Sequence, residues 1–214
     1  MFATLQRQLI YFPEVATEQS LLKTADRVGL LDWRDDKGQL IGWRSRTSGG
    51  ESRRLVVFHG NAGNAVYRQY FAAGFLALCS AWQVYLFEYP GYGARPGSPS
   101  ESGIKATATE ALEDLLAADP SPLYLLGESL GSGVASYLAG RFTDKVAGVL
   151  LVTPFTSLID VAGHHYGFLP VKALLSERFD SKEALTHYPG PVAFLLAGND
   201  EIVPASLGRE LYES

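Results

Sequence analysis

Cysteine is nearly missing from this sequence: Cys79 is the only one in 214 residues. An intrachain disulfide is therefore impossible, and zinc sites built on several cysteine thiolates are excluded. That economy fits a reducing compartment, and the cytoplasm is the expected location. Long apolar runs are missing too, since none approaches the roughly 18 consecutive apolar residues of a membrane span. Positive charge is thin: 18 Lys and Arg stand against 23 Asp and Glu, for a formal net charge of −5. With no dense basic cluster to neutralise phosphates, no nucleic-acid partner is expected. Residues 1–12 contain Arg7 and no small-residue cleavage site. They read as a short amphipathic helix packed on the domain and not as a signal peptide.

What is present is a globular composition, 47% hydrophobic and 19% charged, in a length that suits one domain over residues 1–214. Two short segments, 30–33 and 39–44, flank the turn signal Asp35-Asp36-Lys37-Gly38 and predict an antiparallel hairpin. Beyond them, apolar runs at 55–58, 84–87, 123–126, 146–152 and 192–197 lack period-two alternation, as strands buried on both faces of a parallel sheet do. Helix-length segments at 65–79, 103–118, 131–142 and from about 205 lie between or after these runs. This alternation predicts an α/β class, a doubly wound and mostly parallel sheet. Residues 154–179, mixed in aromatic, His and Pro content, read as a small lid or insertion.

Three motifs follow apolar runs directly. The first is Gly127-Glu128-Ser129-Leu130-Gly131, a G-x-S-x-G pattern between a buried strand and a small-residue helix. In a nucleophile elbow the chain turns so sharply at the serine that side chains two positions away would collide, and glycine removes that clash. Ser129 is the candidate nucleophile, with positive φ and an exposed hydroxyl at the start of a helix. The bland alternative is a Gly-rich turn with a capping serine.

The second motif is His59-Gly60-Asn61-Ala62-Gly63-Asn64. A tetrahedral oxyanion needs two N–H donors, one from the residue after the nucleophile, here Leu130, and one from a loop such as this. Asn61 is the first choice of donor and Ala62 the second. His59 is expected to hold the loop by hydrogen bonds and not to act as general base. The third motif is Gly198-Asn199-Asp200-Glu201, where Asp200 is the candidate acid that orients an imidazole. Glu201 is its nearest rival, and an Asx turn before the final helix is the structural alternative.

These blocks, with Glu88-Tyr89-Pro90-Gly91-Tyr92-Gly93, Pro99-Ser100-Glu101, Pro154-Phe155-Thr156-Ser157 and Arg178-Phe179-Asp180-Ser181 in the same order, resemble the α/β-hydrolase superfamily. Within it they look like the small serine esterases related to membrane-associated acyl-protein thioesterases. The resemblance implies Ser129 as nucleophile, Asp200 as acid, a small acyl-ester or thioester substrate, and no metal or organic cofactor. It also implies a catalytic histidine after an eighth strand. The four histidines here are His59, His164, His165 and His187, all before Asp200. The expectation is therefore a fold lacking its last strand, truncated before the histidine and crippled in turnover. The rival is a non-catalytic relative that binds an acyl ligand or a protein. With 192–197 as the sheet edge, a homodimer through that strand is expected. Phe155, Tyr166, Phe168 and Leu169 are candidates for an acyl pocket.

Overall fold

A computed structural model describes residues 7–46, 53–166, 170 and 174–214. The chain runs through strand β1 (Phe12–Pro13), helix α1 (Glu18–Arg27), and the hairpin of β2 (Leu30–Arg34) and β3 (Leu40–Ser45). It continues through β4 (Arg53–Phe58), β5 (Ala62–Gly63), α2 (Gln69–Leu78), β6 (Trp82–Phe87) and α3 (Glu101–Ala118). Then come β7 (Leu123–Glu128), α4 (Leu130–Arg141), β8 (Val146–Val152), α5 (Leu158–His165), α6 (Ser181–Leu185), β9 (Val192–Leu195) and α7 (Ala205–Glu213).

Local chemistry sets several boundaries. The hairpin turns where the Asp35 carboxylate accepts the amides of Lys37 at 3.0 Å and Gln39 at 2.8 Å. Ser100, Ser157 and Asp180 cap α3, α5 and α6 by accepting the amide three residues on, the usual service of short polar side chains at a helix start. The helix expected over 65–79 is divided: Ala65–Arg68 form a 3-10 turn before α2 begins. There the Ala65 amide is held by both oxygens of Glu88 at 3.1 Å. Strand β9 stops at Leu195, not Ala197, because its partner β8 ends at Val152.

The main sheet has seven strands in the order β2-β3-β6-β4-β7-β8-β9. From β6 onward through β4, β7, β8 and β9 the pairs are parallel. The chain leaves β4 to form β6 on one side, then returns to form β7 on the other. The switch point of the doubly wound sheet thus lies beside β4 and β7, and ligands bind at such crevices outside the carboxyl ends of the strands. Side chains leave the sheet on both faces into separate cores. Val56 and Phe58 join α3 and α4 in one cluster, with Ile104, Leu112, Val134 and Leu138. Leu55 and Val57 join Leu21, Trp43 and Ala72 in the other. Burial on both faces is why these strands carry no polar alternation.

Strand β9 is at one end of the sheet order, the edge expected from the sequence. Its Val192 and Phe194 pack on the core cluster, while Leu195 is 58% exposed. Among the described residues no helix is long and apolar enough to cross a membrane.

Candidate active site

The G-x-S-x-G segment forms the turn from β7 into α4. A Cβ at Gly127 would stand 2.4 Å from the Gly131 carbonyl oxygen, and one at Gly131 would stand 2.0 Å from the Phe58 carbonyl oxygen. Only glycine allows so close an approach. Ser129 has φ 52° and ψ −116°, the left-handed side of the map that other residues avoid. The strain persists because the backbone is pinned on both sides. The Ser129 amide donates to Val152 O at 2.8 Å, and Ser129 O accepts the Ser132 amide at 2.8 Å and the Ser132 hydroxyl at 2.6 Å.

Ser129 opens onto a cavity of about 650 Å³ whose wall also includes Asn61, Leu130, Phe155, Val161 and Val203. No Asp, Glu, Lys or Arg lies among the described residues that line it. Asn61 is in the loop after β4 and Leu130 in the first turn of α4, so the two strands beside the switch point deliver both to one place. Among the described residues, neither the Asn61 amide nor the Leu130 amide donates to a protein acceptor. Ala62, the second choice of donor, is exposed, pairs with Phe12 in the β1–β5 register and is not part of the cavity lining.

The loop carrying Asn61 is fastened from several directions. His59 is 1% exposed, with Nδ1 at 2.6 Å from Gly60 O and Nε2 at 3.2 Å from Glu88 Oε1. That is the loop-holding position expected of it. Tyr89 donates to His59 O and Tyr92 to Asn61 O, each at 2.7 Å. Burial pushes both phenols upward in pKa, which keeps them protonated as donors. From the strand before the serine, Glu128 accepts the Gly60 amide at 3.0 Å, Arg68 Nε at 2.7 Å and the Tyr70 hydroxyl at 3.2 Å. Burial alone would raise the Glu128 pKa. The hydrogen bond and charge of Arg68, with the Gly60 amide and Tyr70, outweigh it and hold the carboxyl below its ordinary value.

Asp200 lies in the loop after β9, on the same carboxyl edge of the parallel strands as Ser129. Its Oδ1 accepts the amides of Ile202 at 2.9 Å and Val203 at 2.8 Å, and those two residues line the cavity. This is the Asx-turn geometry of the structural alternative. It leaves Oδ2 without a hydrogen-bond partner among the described residues. Glu201 is exposed.

All four histidines lie among the described residues. His165 lines the cavity and places Nε2 2.8 Å from Ile202 O. The ring of His164 meets it edge-on at 5.2 Å. His187 is exposed in the turn that enters β9, at the opposite edge of the sheet. Among the described residues no histidine hydrogen-bonds to Ser129 or to the Asp200 carboxylate. No cluster of three or more His, Cys, Asp and Glu there is placed to hold a metal ion.

Of the acyl-pocket candidates, Phe155 and Tyr166 line the cavity, while Phe168 and Leu169 lie outside the described residues. The sequence carries no sign of the part of the lining made by Leu9, Ile10 and Phe12. The helix expected over residues 1–12 is helical only at 7–10 within the described part, and the chain is extended from residue 11. Phe12–Pro13 pairs in parallel with Ala62–Gly63, so contacts with the Asn61 loop override the helical pattern.

Comparison with known proteins agrees with this fold. The chain is 39% identical to the uncharacterized protein Rv2307c of Mycobacterium tuberculosis, over 96% of this chain and 74% of that one. It is 30% identical to the lysophosphatidylserine lipase ABHD12 of Danio rerio over 85% of this chain, and spans about half of that protein's length, 52%. The esterase Pf2001 of Pyrococcus furiosus superposes with a TM-score of 0.70 at 16% identity, covering 95% of this chain and 83% of that one. Residues 53–183 match the family described as alpha/beta hydrolase fold. With strand order, elbow and sequence in agreement, the chain belongs to the α/β hydrolase fold family.

Proposed function

We propose that this chain is a serine hydrolase that cleaves acyl esters or thioesters through an acyl-enzyme on Ser129. The observation that carries the reading is the strained Ser129 lining the same cavity as Asn61 and Leu130, whose amides donate to no protein acceptor among the described residues. A general base takes the Oγ proton, Oγ bonds to the acyl carbon, and the carbonyl electron pair moves onto oxygen. The two amides stabilise that oxyanion. Its collapse breaks the bond to the alcohol or thiol, which leaves with the proton held by the base. Water then repeats the sequence and frees the acid. Asp200, with Oδ2 open, is the proposed orienter of the imidazole. The lid reading of 154–179 is supported by the described residues Phe155, Val161 and Tyr166, which line the cavity. The lipase named among the relatives supports an ester over a thioester.

None of the four histidines is in place as the base, which favours weak turnover by these 214 residues or, as the second reading, a binding protein for an acyl ligand. Loss of the base lowers turnover by about 10⁴- to 10⁶-fold, while oxyanion stabilisation survives. The expected result is slow labelling by a fluorophosphonate, abolished in Ser129→Ala, with feeble hydrolysis of p-nitrophenyl acetate. No Ser129-dependent labelling at all would favour the binding protein. Turnover near that of ordinary esterases would show that a histidine of this chain serves as base, and His165→Ala would identify it.

Among the described residues β9 pairs with β8 alone, and this edge position supports pairing of two copies about a two-fold axis. Sedimentation at protein concentrations on the order of tens of micromolar is expected to give twice the chain mass of 23.2 kDa. A clean monomer, with fast amide exchange along Val192–Leu195, would mean the edge is tolerated bare.

A further inference from the structure

We propose that residues 7–13 form a strap that sets which acyl chains the cavity accepts, with Ile10 and Phe12 contacting an unbranched hydrocarbon chain. This rests on the reading of Ser129 as the acylated residue. The strap contributes Leu9, Ile10 and Phe12 to the cavity lining, to which α5 contributes Leu158 and Val161. The described lining has no fixed charge and few polar side chains. Such a cavity favours hydrocarbon and has no fixed charge among its described lining to pair with a phosphate or ammonium group.

The strap is held as a fixed part of the site. Tyr11 donates to Glu177 Oε2 at 2.6 Å, and Arg7 Nε meets Glu177 Oε1 at 2.9 Å. Glu177 is 3% exposed and also accepts the Glu101 amide at the start of α3. On the other side the Asn61 side chain donates to Ile10 O and accepts the Phe12 amide at 3.3 Å. The Glu14 amide continues the pairing to Gly63 O at 3.0 Å. One residue, Asn61, therefore joins the chain-contacting wall to the loop that lines the cavity beside Ser129. A chain lying along Ile10 and Phe12 brings its carbonyl end to Ser129 and the proposed Asn61 donor.

The test is a binding ladder of saturated fatty acids from butyrate to laurate, read by displacement of anilinonaphthalene sulfonate from the full chain. Each buried methylene strengthens binding about fourfold until the cavity is filled. Phe12→Ala is expected to weaken binding of the longer acids by about tenfold or more and to leave butyrate unchanged. Ile10→Trp should fill space and shorten the longest acid that gains affinity, an effect that mere destabilisation does not produce. A ladder that is flat in the parent chain, or unaltered in both strap variants, overturns the proposal. If the ladder behaves as expected while fluorophosphonate fails to label Ser129, the wall stands as a binding surface and the hydrolase reading falls.

Discussion

Gly131→Ala is expected to lose on the order of 3–5 kcal/mol of stability, the upper range for overpacking a site that cannot relax. The new Cβ would stand 2.0 Å from Phe58 O, 2.6 Å from Phe58 C and 2.8 Å from His59 O. All three atoms are backbone. They belong to the end of β4 and the start of the Asn61 loop, and β4 is clamped between β6 and β7. Nothing flexible is available to yield, so the helix must lift from the sheet or the loop must move. For a domain of this size the loss corresponds to a fall in Tm of more than about 6 °C. Gly74→Ala is the control. Gly74 is inside α2 with nothing within 4 Å of a built Cβ, and the change should stabilise by about 0.5–1 kcal/mol. Thermal unfolding followed by circular dichroism checks both signs. A Gly131→Ala protein melting within a degree or two of the parent would mean that the turn at Ser129 is not this tight.

Glu128→Gln is expected to cost about 2 kcal/mol at neutral pH, the range for a hydrogen-bonded charge that is partly shielded from water. The carboxylate gathers Arg68, the Gly60 amide and Tyr70, and a neutral amide gives Arg68 no counter-charge. The pH dependence has a definite sign. The folded-state pKa lies below the ordinary 4.5, so the folded state favours the charged form. Its contribution is complete above the unfolded value and disappears as pH falls through the lower folded value. Urea unfolding should show a constant gap between parent and variant from neutral pH down toward about 5.5, closing once pH drops below 4.5. A gap that widens in acid would mean that burial, not Arg68, governs this carboxyl.

The strap explains why some of the site was illegible. Apolar Leu9, Ile10 and Phe12 fit an amphipathic helix as well as a cavity wall, because local spacing is the same for both. What decides between them is partners far along the chain: Tyr11 meets Glu177 across 166 positions, and Ile10 meets Asn61 across 51. Glu128 was hidden for a similar reason. Inside G-x-S-x-G it occupies an unrestricted position, and only folding brings Arg68 and Gly60 to it.

By itself the sequence determined the α/β alternation, because strands buried on both faces need unbroken apolar runs, and the 146–152 run became β8 without adjustment. It also determined the elbow, since glycine at 127 and 131 is required wherever backbone must pass so close to backbone. Tertiary structure alone decided where the strands lie in the sheet, and hence that the loops after β4 and β7 meet at one switch point. It also decided that Asn61 has two neighbours, lining the cavity beside Ser129 while its side chain grips the strap. Propensity and periodicity act over a few residues, whereas these arrangements depend on contacts between segments that meet only when both cores close around the sheet.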